Sequence, residues 1–174
     1  MRTFLSFFLL FSLNTCKTVD KTSSLNLNNE VISECPEDGT CYFSIHENSQ
    51  LVVKKDEFGH LYPEVVKGDF IVLKFEFKRS ELQNTIDSGY SEEILLQLKP
   101  NSLETELYDN DLSQANLLFG RLCFCRGQTG YYRITTGSLS VKKAGNKTYK
   151  LQLNFESNTV PQVIKQIKEE FSIN

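Results

Sequence analysis

The chain predicts a mainly β fold: an antiparallel β-sandwich or a small barrel with one or two short helices, including a C-terminal helix. Three observations carry this. Apolar and polar residues alternate with period two in run after run. Turn residues separate the runs. Helical period appears in only two places.

Taken in order, Cys41 to Ile45 and Leu51 to Lys54 alternate weakly, and Asp56-Glu57-Phe58-Gly59 then breaks the pattern as a turn. The strongest run follows, with Ile71, Leu73, Phe75 and Phe77 on one face and Lys74, Glu76 and Lys78 on the other. Ile94 to Leu98, Leu122 to Cys125, Tyr131 to Thr135 and Leu139 to Lys142 are weaker strands, and Tyr149 to Phe155 alternates cleanly. Such alternation sets one face on a core and the other in water, as in antiparallel sheets. Ala144-Gly145-Asn146-Lys147 is short enough for a hairpin, with Gly145 and Asn146 suited to positive φ. Asp111 to Leu118 predicts a short helix capped by Asn110 or Asp111. Pro161 opens a second, in which Val163, Ile164, Ile167 and Phe171 share a stripe.

The N-terminus has its own logic. Arg2 precedes a nearly unbroken apolar run of ten positions, Phe4 to Leu13, and a polar step to Cys16. That is the form of an export signal, too short for the roughly 20 residues a membrane-spanning helix needs. Residues 1–15 are therefore expected to be a signal peptide. Residues 16–30 follow as a flexible tether, polar and without period, and 31–174 as a single β-rich domain. Loss of Arg2 leaves 18 basic residues against 22 acidic, a net charge of −4. That balance argues against nucleic acid, whose phosphates demand clustered Lys and Arg.

Leu13-Asn14-Thr15-Cys16 resembles the lipobox of bacterial lipoproteins in the relaxed form found in Bacteroidota. Leu13 fits the first position and Cys16 the last, while Asn14 and Thr15 depart from the usual small residues. The resemblance implies cleavage before Cys16 and acylation of its sulfur and new amino group. A lipobox, a polar leash and a β-domain together look like small Bacteroidota lipoproteins, which implies an address and an anchor but no activity. Several acyl chains at about 0.8 kcal/mol per buried CH₂ would hold the protein to a membrane.

Four further cysteines, Cys35, Cys41, Cys123 and Cys125, suggest disulfides in an exported chain. Cys123 and Cys125 share a strand face, and joining such close neighbours is awkward. Crossed pairing, of Cys35 and Cys41 with Cys123 and Cys125 in either order, is therefore preferred to 35–41 with 123–125. Zinc and redox exchange are both disfavoured: structural zinc sites space their cysteine pairs by two to four residues, and redox partners show Cys-x-x-Cys beside a βαβ pattern, which is missing here. Neither metal nor cofactor is expected.

Catalytic chemistry does not assemble. His46 lies on the polar side of its strand and His60 follows a turn glycine. No Gly-x-Ser-x-Gly elbow occurs, and Gly127-Gln128-Thr129-Gly130 lacks the setting of a phosphate loop. The pairs Glu92-Glu93 and Glu169-Glu170 read as solvated faces. Asn146-Lys147-Thr148 matches a glycosylation sequon but reads as a turn in a bacterial chain. One segment, Gly120 to Arg133, gathers arginines, tyrosines and glycines, so Arg121, Arg126, Tyr131 and Arg133 are the candidate binding residues. Its plainer reading is a hairpin with Tyr132 facing the core beside Ile134.

The expected function is that of a lipid-anchored cell-envelope protein, on the periplasmic or surface face, with a non-catalytic β-domain for binding or support. Its partner would be an envelope protein, a glycan or a small ligand. The alternative is a secreted β-barrel ligand carrier or hydrolase inhibitor, and an enzyme ranks third.

Overall fold

A computed structural model describes residues 34–81 and 88–174. The expected signal peptide, Cys16 and the expected tether lie outside these residues. All the described residues fall in one compact unit, Val31–Asn174.

Ten strands account for most of it. They are β1 (Gly39–Lys55), β2 (Leu61–Lys67), β3 (Phe70–Arg79), β4 (Tyr90–Leu98), β5 (Thr105–Tyr108), β6 (Leu118–Cys123), β7 (Gly130–Arg133), β8 (Gly137–Lys143), β9 (Thr148–Phe155) and β10 (Gln166–Ser172). Six strands close an antiparallel barrel in the order β1-β2-β7-β6-β4-β3, and the other four form a sheet in the order β10-β9-β8-β5. The expected mainly β fold is therefore present, and it unites barrel and layered sheet.

The long strand β1 makes closure possible. Its first half pairs with β3, its second half with β2, and a bulge lies between His46 and Ser49, where Asn48 takes φ 51°. A bulge bends a strand and increases its twist, so β1 serves two neighbours. What read as two short strands is one strand with a bend. Closure between β2 and β7 rests on one residue pair, Leu61 with Tyr131.

Each barrel strand has two different faces. Ile71, Leu73, Phe75 and Phe77 of β3, Ile94, Leu96 and Leu98 of β4 and Phe119 of β6 pack in one core with Leu139, Leu151, Leu153, Phe155, Ile167 and Phe171 of the four-stranded sheet. The rings of Phe119 and Phe155 sit 5.8 Å apart. The opposite face turns into the barrel, where Leu51, Val72 and Leu95 pack with Val53 and Tyr131. There Gln97 Oε1 accepts the Leu51 N–H at 3.0 Å, reaching from β4 to β1 past β3.

Four local expectations are corrected. The C-terminal helix is strand β10, paired with β9 from Gln166–Asn154 to Ser172–Thr148. Ile167 and Phe171 are four apart, a spacing that fits both a helical turn and two strand repeats, and the edge of β9 decided between them. The helix expected at Asp111–Leu118 is a 3₁₀ segment, Asp109–Ala115, ended by Asn116 at φ 49°, and Leu118 already begins β6. It has no side-chain cap; Asp109 accepts the Gly137 N–H instead. In the β8–β9 turn Lys147, at φ 62°, takes the left-handed position rather than Gly145 or Asn146.

Candidate functional site

Both disulfides are local, Cys35–Cys41 and Cys123–Cys125, with Cα separations of 5.7 and 5.1 Å. The crossed pairing is thus overturned, and the register explains why. Cys41 lies opposite Phe77 of β3, and Cys123 opposite Tyr90 of β4. Three strand spacings, roughly 14 Å, separate β1 from β6, against the approximately 7 Å a disulfide can span between Cα atoms. In the chain-entropy model the seven-residue loop contributes about 2.4 kcal/mol and the three-residue loop about 1.6 kcal/mol.

A continuous set of contacts joins the two disulfide loops. Asp38, inside the first, accepts from Arg79 Nε at 2.8 Å. The Arg79 guanidinium stands 4.5 Å from the centre of the Tyr90 ring, and that of Arg121 5.4 Å from the same ring. Arg121 Nη1 then donates to Gln128 Oε1 at 2.9 Å, in the turn after the second disulfide. This turn is built for its place. Gly127 takes φ 70° and the Gln128 N–H closes on the Cys125 carbonyl at 3.1 Å, while Phe124, between the two cysteines ahead of the turn, stands 83 % exposed.

Beneath lies a carboxylate that sequence reading missed. Glu92 is fully buried, not solvated, and accepts from Tyr90 Oη at 2.5 Å, Val163 N at 2.6 Å and Ile164 N at 2.7 Å. It thereby fixes the chain that leads into β10. Burial, then the Glu92 carboxylate, raises the Tyr90 phenol above its ordinary pKa. Arg121, the cross-strand partner of Glu92, is 9 % exposed, and its Nε has no hydrogen-bond partner among the described residues. The signal was present in the alternation: Glu92 shares parity with Ile94, Leu96 and Leu98, so it had to face the core.

Glu93, one residue on, faces the barrel interior. It accepts from Lys74 Nζ at 2.8 Å and Tyr131 Oη at 2.7 Å, while Lys74 also reaches Glu76 at 3.3 Å. Burial opposes the charge on Lys74, but its bonds to Glu93 and Glu76 prevail and raise its pKa. Burial and the Glu93 carboxylate likewise hold the Tyr131 phenol well above its usual range. Tyr131 crosses β6 at Gly120, where a Cβ would stand 2.5 Å from its ring. Only glycine leaves the ring that path.

The candidate binding residues therefore divide. Arg121 lies on the core face and is latched by Gln128, Arg126 is exposed beside Cys125, Tyr131 points into the barrel, and Arg133 is exposed at the far end of β7. Tyr132 packs on the main core, as expected of a hairpin tyrosine. His46 is exposed beside Ser44 Oγ at 3.3 Å, and His60 is exposed against Asp56 at 3.2 Å. Among the described residues no group of three or more His, Cys, Asp or Glu could hold a metal ion, and no helix is long and apolar enough to cross a membrane.

No protein-family model matches this chain, and no curated protein or solved structure matches it. The roles of its residues rest on its own geometry.

Proposed function

We propose that this is a lipid-anchored cell-envelope protein, held through Cys16, whose β-domain is a non-catalytic binding module. Binding takes place at the surface spanned by the contacts that link the two disulfide loops. The observation that carries this reading is Phe124, 83 % exposed on a three-residue loop that is closed covalently and backed by the Arg79–Tyr90–Arg121 contacts. A large apolar side chain on a braced support loses little entropy on docking, the property of an interface anchor. Two disulfides accord with export to an oxidising compartment. The barrel interior is filled by Leu51, Val72, Leu95 and the Lys74–Glu93–Tyr131 network, which favours a surface binder over a carrier. The same projecting loop favours, as a second reading, an inhibitor that inserts Phe124 into a hydrolase.

The test is photocrosslinking in the native envelope from position 124, with Phe58 as the exposed control, alongside membrane flotation. A defined adduct from position 124 alone, and loss of flotation in Cys16→Ala, are expected. Equal labelling from both positions would refute the binding surface, and a floating Cys16→Ala protein would refute the anchor.

A further inference from the structure

We propose that Cys123–Cys125 is a redox-active pair that exchanges with external thiols, and that Cys35–Cys41 is a purely structural bond. This goes beyond the binding reading and does not depend on it. Three observations point there. The bond joins residues two apart in the chain, so it constrains the unfolded chain least. It also spans no gap the fold needs closed: β6 pairs with β4 up to Cys123–Tyr90, and the following turn is made by Gly127 and the Gln128 N–H to Cys125 carbonyl bond. The surrounding fold can therefore persist in both states. Finally, the pair has the surroundings of a reactive thiol. Both cysteines are partly exposed, Arg121 precedes Cys123 by two on the same strand face, Arg126 adjoins Cys125, and Phe124 offers an apolar contact. Neighbouring arginines favour the thiolate.

The step follows from these positions. A thiolate of a small-molecule or protein dithiol attacks Cys125 Sγ, and the bond to Cys123 breaks. Its electron pair leaves on Cys123 Sγ, the sulfur on the face of Arg121, and a mixed disulfide remains on Cys125. The donor's second thiolate then attacks the donor sulfur of that mixed disulfide and releases Cys125. Two electrons and two protons pass to the pair, and the donor becomes a disulfide. The reverse sequence oxidises an exposed dithiol.

The test equilibrates the oxidised, full-length protein in a series of reduced-to-oxidised glutathione ratios, alkylates the free thiols and maps both bonds by mass spectrometry. Cys123–Cys125 should open at ratios that leave Cys35–Cys41 closed, with the circular dichroism spectrum unchanged. Opening of Cys35–Cys41 first, or of both together, would overturn the proposal. Arg121→Gln should slow opening severalfold, because a thiol of higher pKa is a poorer leaving group; an unchanged rate would refute the role given to that arginine. The double variant Cys123→Ser/Cys125→Ser should keep the fold and lose the exchange. An unfolded double variant would show the bond to be structural.

Discussion

Glu92 and Glu93 are neighbours in β4, yet they occupy different media. Glu92 enters the apolar layer between barrel and sheet, where two backbone N–H groups and a tyrosine hydroxyl hold it without exposure. Glu93 enters the barrel, where a lysine and a tyrosine meet it and water still reaches the group, since its side chain is 14 % exposed. A carboxylate whose donors are backbone groups resists loss, because its removal leaves them unpaired in a dry place. An ion pair with access to water contributes modestly. The core face should therefore carry the stability of this domain, and the barrel face its adjustable polar interior.

Variants on the two faces can break that contrast. The largest effect is expected from Phe119→Ala, which opens a cavity against Phe155 and should cost about 3–5 kcal/mol in chemical denaturation. Glu92→Gln comes next: it turns one acceptor into a donor opposite backbone N–H groups, at about 2–3 kcal/mol. Gly120→Ala places a methyl against the Tyr131 ring and should cost about 1–3 kcal/mol, read as a fall in thermal midpoint. Glu93→Gln should cost at most about 1 kcal/mol, with the loss shrinking in high salt. A cost for Glu93→Gln equal to that of Glu92→Gln would end the distinction between the faces.

The smallest effect has the opposite sign. Glu169 lies on the inner side of β10 between Ile167 and Phe171, and burial raises its pKa. The fold thus prefers its neutral form and loses stability as pH rises through that raised value. Glu169→Gln should stabilise the domain at pH 7, by less than about 0.5 kcal/mol. The gain should vanish below about pH 4, where the carboxyl is protonated in both states. Thermal melts of the two proteins across pH 3–8 would check this.

How much of this was legible varies with the range of the cause. β3 and β9 were readable because alternation is local: each has one apolar core face, set against a polar face in β9 and against the Lys74 and Glu76 of the barrel side in β3. The merging of two short runs into β1 was not, since the bend at Asn48 serves pairing with two distant partners. Likewise, β10 depended on the free edge of β9, which no local pattern reports. In the candidate site, the loop Gly120–Arg133 was recognisable by composition, but the faces of Arg121 and Tyr131 had to be counted from the strand. Glu92 could have been placed by the same counting. The disulfide pairing depended on the number of strands between β1 and β6, a property of topology alone.

The most direct measurement is the mass of the protein recovered from its native membrane fraction, followed by peptide mapping without reduction. The account predicts an N-terminus at an acylated Cys16 and the bonds 35–41 and 123–125. An unprocessed chain beginning at Met1, with all five cysteines alkylatable, would contradict it.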